Sequence, residues 1–197
     1  MDATATQTTT AAALAAELAA KEQQLEALNT ELNLLRRQTG AMPVQDYALK
    51  DTAGNTVMLS AAFGPHERMV LIHNMGFACH YCTLWAEGFN GLWKHIESGE
   101  YTTAAKFVLV SNDRPDQQLA GAAMRGWTFT MLSARDTSLF DDLGFAEMKD
   151  GVPHWWPGVS TLVKSADGTI QRTGRATFGP GDQFCALWPF MELFPAE

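Results

Sequence analysis

The segment that decides the fold of this chain is Met69-Val70-Leu71-Ile72-His73-Asn74-Met75-Gly76-Phe77-Ala78-Cys79-His80-Tyr81-Cys82. Its first four residues form a continuous apolar run, which predicts a buried strand over the first six. A helical stretch follows from about His80 to Ile96, so the two cysteines lie where a strand gives way to a helix. Three cysteines are too few for a disulfide scaffold, and the C-x-x-C pair therefore indicates redox or metal chemistry.

The composition of the 197 residues predicts one domain of ordinary size with an appendage. Hydrophobic residues make up 46% of the chain, which supplies ample material for a core. The net charge of -8 argues against nucleic acid and anionic membranes as partners, because both attract clusters of Lys and Arg. No run reaches the ~18–20 apolar residues of a membrane span, and no targeting segment is recognisable. We therefore expect a cytoplasmic protein.

The chain divides into three predicted parts. Residues 1–10 read as a flexible tail, residues 11–41 as a long helix, and residues 42–197 as the globular domain. The helix carries leucines at heptad spacing, with Lys21 at the one interrupted position; they are Leu14, Leu18, Leu25, Leu28, Leu32 and Leu35. Two interpretations stay open: this stripe pairs with a second subunit, giving a homodimer through residues 11–38, or the helix lies on its own domain.

The pattern of the domain predicts strands and helices that alternate along the chain. A hairpin comes first, and after the strand and helix of the opening segment come a strand, a helix, a short strand, a second hairpin and a closing helix. The predicted elements are residues 46–51 and 55–59 for the first hairpin, then 107–111, 113–125 and 127–132, then 159–164 and 169–173 for the second hairpin, and Asp182 to Leu193 for the last helix. This order describes an α/β sandwich with a mixed sheet.

Two segments carry a family resemblance. The hairpin Ala53-Gly54-Asn55-Thr56-Val57-Met58-Leu59-Ser60, followed by the buried strand and the C-x-x-C, resembles the opening of redoxin-type proteins of the thioredoxin-like superfamily. Cys82-Thr83-Leu84-Trp85-Ala86-Glu87-Gly88-Phe89-Asn90-Gly91, together with a leading helix that ends in Arg36-Arg37, is similar to a bacterial thioredoxin-like family of unknown function. Members of that family are described as predicted dithiol-disulfide oxidoreductases. The resemblance covers about residues 15–195 and implies a thioredoxin-like sandwich, with a mixed central sheet flanked by helices.

The spacing of the cysteines suits thiol–disulfide exchange. A sulfur at a helix N-terminus is stabilised as a thiolate by free N–H groups and by the helix dipole, so Cys79 is the predicted nucleophile. Cys82, one turn further on, is the predicted resolving thiol. A protonated His80 would stabilise a nearby thiolate. Related oxidoreductases often place His next to the second cysteine, where this chain has Tyr81.

Three further residues are candidates to support the site. His73 stands where thioredoxins carry a buried acid that assists the second thiol, although a core histidine bonded to the backbone is the simpler explanation. Ser160 aligns with the cis-proline that thioredoxins set opposite the C-x-x-C. Trp155, with Trp156, forms either an aromatic wall for a substrate or part of the core. Cys185 reads as a buried, inert thiol, the alternative being a third redox cysteine.

The sequence offers two alternatives to thiol–disulfide exchange. A peroxiredoxin-like thiol peroxidase needs Thr or Ser three residues before the reactive cysteine, where Gly76 stands, and a nearby arginine, for which Arg125 and Arg135 are the candidates. An oligomeric binding or scaffold protein would use the heptad helix. Neither a metal nor another cofactor is expected, because zinc needs four ligands and the histidines are scattered. The predicted partners are protein or small-molecule thiols and disulfides.

Overall fold

The computed structural model describes the backbone of residues 3–195 and the side chains of residues 10–195. The N-terminal helix α1 spans Ala3–Gly40 and therefore begins well before the predicted start at residue 11. The predicted tail, residues 1–10, is thus helical from Ala3 onwards, while its first two residues lie outside the described part. No described helix has the length and apolar character needed to cross a membrane.

The globular part alternates strands and helices. Its elements are β1 Met42–Val44, β2 Ala48–Asp51, β3 Thr56–Met58, α2 Leu59–Ala62, β4 Arg68–His73, α3 His80–Ser98, β5 Lys106–Ser111, α4 Pro115–Arg125, β6 Thr130–Ser133, α5 Leu139–Asp142, β7 Ala146–Lys149, β8 Val152–Trp155, β9 Gly158–Lys164, β10 Ile170–Thr177 and α6 Leu187–Met191. The predicted opening strand, both hairpins and the helices after the C-x-x-C and after Arg114 are confirmed, with small shifts at their ends.

The central sheet has eight strands in the order β1-β10-β9-β4-β5-β6-β2-β3. β4 pairs in parallel with β5, and β5 in parallel with β6, whereas β9 runs antiparallel to β4. The sheet is thus mixed, and helices flank it. These features confirm the predicted α/β class and the thioredoxin-like sandwich.

Side chains alternate along β5 and bury both faces of the sheet. Val108 and Val110 join one core cluster with Phe63 and Phe145, while Phe107 and Leu109 join the other with Trp85 and Phe89. Parallel strands covered on both faces read as continuous apolar runs, which explains why β4 and β5 were recognisable in the sequence. The C-terminal end of β4 leads directly into the segment that carries the C-x-x-C.

Two parts of the domain differ from the prediction. The closing helix is confined to Leu187–Met191, because the Asp182 carboxylate accepts bonds from the Trp85 indole, Gly179 N–H and Phe184 N–H and so organises a loop rather than a helix start. The two-stranded sheet of β7 and β8 was not predicted, although its turn, Asp150-Gly151, has positive φ at both positions and is a common hairpin dipeptide.

The leucine stripe of α1 is not covered by its own domain. The six heptad leucines are 41–61% exposed. The helix touches the sheet near its C-terminal end, where the Gly40 carbonyl accepts a 2.6 Å bond from Arg172 Nε. A Cβ on Gly40 would lie 2.6 Å from Arg175 N, so only glycine permits this close approach to β10.

Candidate thiol site

Cys79 caps the N-terminus of α3. Its backbone is extended, and its sulfur accepts a 3.2 Å hydrogen bond from the Cys82 N–H. Its carbonyl meanwhile accepts bonds from the N–H and the hydroxyl of Thr83. A sulfur that takes the place of an N-cap oxygen receives the same N–H group and the same favourable end of the helix dipole. The predicted position of Cys79 at the helix start is therefore present in the structure.

Cys82 lies behind Cys79 in the first turn of α3 and is only 2% exposed. Burial raises the pKa of the Cys82 thiol, and its hydrogen bonding with Cys79 acts in the same direction. The Met75 N–H, 3.5 Å away, contacts the Cys82 sulfur and partly opposes that rise. The two thiols consequently differ in access: Cys79 is half-buried, whereas Cys82 is shielded from solvent.

The loop before Cys79 is held by two polar side chains that the sequence analysis did not assign to the site. Asn74 accepts a 2.7 Å bond from Gly76 N–H and donates to the Cys82 carbonyl at 3.3 Å. Asp113 accepts from Phe77 N–H at 3.2 Å and from the Ser111 hydroxyl at 2.9 Å. These bonds tie the loop to both the helix and the end of β5, and so set the position of the Cys79 sulfur.

Gly76 is required by this arrangement. Its φ is +102°, a conformation that L side chains rarely adopt, and a Cβ there would lie 2.6 Å from Asp113 Oδ1. Position 76 is also where a peroxiredoxin-like enzyme would carry Thr or Ser, counted from Cys79. In this chain that position instead contributes a backbone turn.

Cys79 lines a groove of about 480 Å³. One wall consists of Met75, Ala78, His80 and Tyr81 around the cysteine, and the other of Pro153, His154 and Trp155 from β8. The residue that follows β8 ties this wall to the core, because the Trp156 N–H donates to the Phe145 carbonyl at 2.7 Å. The structure therefore brings Cys79, His80, Tyr81 and Trp155 to one place, four of the predicted site residues.

Aromatic side chains extend this groove on both sides. Tyr81 is half exposed, and its ring lies 6.2 Å from that of Trp188 and 6.3 Å from that of Trp85. Trp155 is partly buried and packs against the core, as one of its two predicted interpretations requires, and it also lines the groove. Trp156 is exposed and makes an edge contact with His154.

His73 and Ser160 lie together in the core. His73 Nε2 is 2.9 Å from Ser160 Oγ, and the ring stacks on Phe145 at 3.8 Å. Burial, helped by the charges of Arg172 and Arg175, holds the pKa of His73 well below its usual value. Within residues 10–195, His73 forms no hydrogen bond with Cys79 or Cys82, and its partner is a side chain rather than the backbone.

Ser160 occupies the middle of β9, where it pairs with Leu71 and Arg175, and its side chain points into the core. The prediction had set it opposite the C-x-x-C. The residues that take that place in the structure are Pro153 to Trp155. They were missed as a group because the β7–β8 hairpin that carries them was not predicted.

Cys185 is 8% exposed and packs in the aromatic cluster that contains Trp85 and Phe178. It is a free thiol, as are Cys79 and Cys82. Within residues 10–195, no group of three or more His, Cys, Asp or Glu side chains is placed to hold a metal ion.

Comparison with solved structures finds peroxiredoxins. Peroxidoxin BcpB from Mycobacterium tuberculosis superposes with a TM-score of 0.56 at 21% identity, covering 70% of this chain and 84% of that one. Reduced Prx3 in complex with H2O2 from Vibrio vulnificus gives 0.55 at 14% identity, covering 72% and 88%. A cysteine-to-serine mutant of Xanthomonas campestris peroxiredoxin Q gives 0.53 at 19% identity, covering 77% and 90%. At these identities the likeness concerns the fold.

Comparison of the sequence gives a family but no individual relative. No curated protein matches the chain. A family model described as "Bacterial protein of unknown function (DUF899)" matches residues 3–196, which is nearly the whole chain. The thioredoxin-like part of the predicted resemblance is supported by the fold, and the protein belongs to this bacterial family of unknown function, DUF899.

Proposed function

We propose that the protein is a thiol–disulfide oxidoreductase in which Cys79 is the nucleophile and Cys82 the resolving thiol. The observation that carries this proposal is the unequal placement of the two sulfurs. Cys79 caps α3 and lines an open groove, while Cys82 is buried one turn behind it. A thiol that meets substrate and a shielded thiol that completes the reaction are what a dithiol exchange requires.

The reaction runs in two steps. The Cys79 thiolate attacks one sulfur of a substrate disulfide, so that a mixed disulfide forms and one substrate thiolate leaves. Cys82 then gives up its proton and attacks the Cys79 sulfur, which releases the second substrate thiolate. The substrate disulfide is reduced to two thiols, and the protein keeps a Cys79–Cys82 disulfide. A cellular dithiol reductant must return it to the reduced state.

The surroundings of Cys82 suit the order of these steps. Because its pKa is raised by burial, Cys82 stays protonated while Cys79 reacts first. The Met75 N–H then offers a hydrogen bond to the sulfur when it becomes negative. His73, the predicted assistant, is bonded to Ser160 in the core, and within residues 10–195 it forms no hydrogen bond with Cys82.

The groove favours a disulfide with apolar or aromatic neighbours. Among the described residues that line it, none is Asp or Glu, and the two that can carry positive charge are His80 and His154. Tyr81, which is half exposed, and Trp155, which is partly buried, both line the groove beside Cys79. Such rings gain most from contact with apolar or aromatic groups.

An exchange assay tests the proposal. The wild-type protein should reduce a peptide disulfide flanked by Phe residues in the presence of dithiothreitol, and Cys79→Ser should abolish this activity. Trp155→Ala should lower kcat/KM for the Phe-flanked peptide more than for a Ser-flanked one, with Trp156→Ala as the matched control. Equal activity of wild type and Cys79→Ser would contradict the oxidoreductase, whereas an equal effect of Trp155→Ala on the two peptides would contradict the role of the aromatic walls.

Peroxide reduction is the second candidate, because the similar folds include a peroxiredoxin solved in complex with H2O2. Such an enzyme needs an arginine beside the reactive cysteine, and none of the described residues that line the groove is an arginine. The candidate Arg125 pairs with Glu87, and Arg135 is exposed; within residues 10–195, neither forms a hydrogen bond with a cysteine. Stopped-flow consumption of H2O2 distinguishes the two candidates, since a peroxidase reacts far faster than a free thiol does.

We also propose that α1 forms a homodimer through residues 11–38. Three of the six heptad leucines are at least 60% exposed in the single chain, and such an apolar stripe needs a cover in water. A second copy of α1 presents the same heptad spacing and so buries both stripes at once. For the oxidoreductase we also propose a cytoplasmic location, because the reducing conditions there keep Cys79 and Cys82 in the thiol form from which the reaction begins.

A further inference from the structure

A second groove, of about 270 Å³, lies away from the thiol site. It is bounded by the last turns of α1, by β9 and β10, and by the loop after β10. Three arginines line it, namely Arg36, Arg37 and Arg175, together with Val159, Thr161 and Phe184. None of the described residues that line it is acidic.

The three arginines lack carboxylate partners within residues 10–195. Arg36 donates to the Asn33 side chain at 3.0 Å, and Arg175 donates to the Gly144 carbonyl at 3.0 Å. Arg37 has no hydrogen-bond, ion-pair or aromatic partner in this part of the chain. The protein has 22 acidic and 14 basic residues. Three arginines without a carboxylate partner in one groove therefore contrast with the acidic composition of the chain.

A fourth arginine adds to the positive charge nearby. Arg172 is buried and donates to the carbonyls of Gly40 and Leu143 at 2.6 and 2.7 Å. Its pKa is lowered by burial and by the charge of Arg175. The two cations therefore repel each other, and no described carboxylate forms an ion pair with either of them.

Close packing fixes the backbone around this second groove, which we call the arginine groove. The Gly40 backbone packs against Gly174 and Arg175 so closely that a Cβ would lie 2.6–2.8 Å from their backbone atoms, and Arg172 bonds to the same glycine. The last turn of α1, which carries Arg36 and Arg37, is thus fixed over β10. A preorganised cationic groove of this kind binds anions without a large ordering cost.

The remaining wall is apolar. The Arg36 guanidinium lies 5.5 Å from the centre of the Phe184 ring, and the Phe184 ring contacts that of Phe178 at 4.9 Å.

Guanidinium groups form paired hydrogen bonds with carboxylates and phosphates. We propose that this groove binds a small organic oxyanion, in which a carboxylate or phosphate meets the arginines and an apolar or aromatic group meets Phe184 and Val159.

Isothermal titration calorimetry on the full-length protein tests this site. Phenyl phosphate and phenylacetate represent the two sources of negative charge, and phenol is the uncharged control. We expect one ligand per chain for at least one of the two anions, and no binding of phenol. Inorganic phosphate should bind more weakly than phenyl phosphate, because it lacks the ring.

Arg37→Gln is the informative variant, since Arg37 is exposed and its loss removes no described contact. It should weaken binding at least about tenfold, as expected for the loss of a charge-assisted bond. Arg135→Gln, an exposed arginine in a loop, should leave binding unchanged. Phe184→Leu should weaken phenyl phosphate more than inorganic phosphate.

Three results would overturn the proposal. One is that neither anion binds to the wild-type protein. Another is that Arg37→Gln and Arg135→Gln weaken binding equally, which would indicate a general effect of charge. The third is that Arg37→Gln leaves binding intact but lowers the molecular mass in light scattering, which would assign the arginine to contact with a second copy.

Discussion

The Cys79 sulfur accepts a hydrogen bond from the Cys82 N–H at 3.2 Å, so the two residues of the C-x-x-C are joined through the first turn of α3. Cys79 lines the same groove as Trp155, and this bond fixes its sulfur against the first turn of the helix. It also separates the roles of the two thiols, because Cys82 supplies its backbone to Cys79 while its own sulfur stays buried.

The difference in access predicts a difference in alkylation. Under native conditions iodoacetamide should modify Cys79 at least about ten times faster than Cys82 or Cys185, because both of the latter are buried. Peptide mass spectrometry over time measures the three rates in the wild-type protein. Equal rates after full denaturation serve as the control, and faster native modification of Cys82 would reverse the roles proposed above.

Gly76→Ala should destabilise the protein. Its positive φ and the nearby Asp113 carboxylate lead us to expect a loss of about 1–3 kcal/mol in the free energy of unfolding. Gly88→Ala is the matched control, since a Cβ there meets nothing within 4 Å and α3 gains about 0.5–1 kcal/mol from the substitution. Urea denaturation compares the two variants, and a neutral Gly76→Ala would show that the loop can shift.

Acid should weaken the fold through His73. In the folded protein the lowered pKa keeps this buried ring neutral, whereas in the unfolded chain it takes up a proton below about pH 6.5. The unfolded state then binds more protons than the folded state does. The free energy of unfolding should therefore fall as the pH drops below 6.5, by up to about 1.4 kcal/mol per pH unit, and show no contribution from His73 above that pH.

The variant His73→Gln isolates this contribution, because glutamine does not titrate. Urea unfolding at pH 7.5, 6.5 and 5.5 should give a shallower pH dependence for the variant than for the wild type. Parallel curves would mean that the ring takes up its proton in the folded protein as well.

The proposed coiled coil predicts a change in mass. Leu25→Glu combined with Leu28→Glu places charges in the middle of the stripe and should convert the homodimer to a monomer in light scattering. Leu34→Glu is the control, since Leu34 is 47% exposed but stands outside the heptad positions. A wild-type protein that is monomeric at all concentrations tested would contradict the dimer.

Local patterns in the sequence predicted much of the fold. The apolar run Met69 to Ile72 predicted the buried strand β4, and the leucine spacing favoured a helix for α1. The C-x-x-C marked the start of α3. These features are visible because periodicity and capping depend on residues that are neighbours in the chain.

Other features depended on contacts between distant residues. Asp182 looked like a helix cap, but its carboxylate binds the Trp85 indole and two loop N–H groups. Ser160 looked like a residue of the site, but β9 turns its side chain towards His73 in the core. In both cases the local pattern permits two outcomes, and packing against a remote segment selects one.

The sequence by itself determined that two cysteines meet the N-terminus of a helix behind a buried strand, because spacing, apolar pattern and helix propensity are local properties. Only the tertiary structure decided which thiol is accessible, that Trp155 faces Cys79 across a groove, and that Arg36 and Arg37 meet Arg175. Burial and charge at a site are set by segments that sheet pairing brings together, and no local pattern records that pairing.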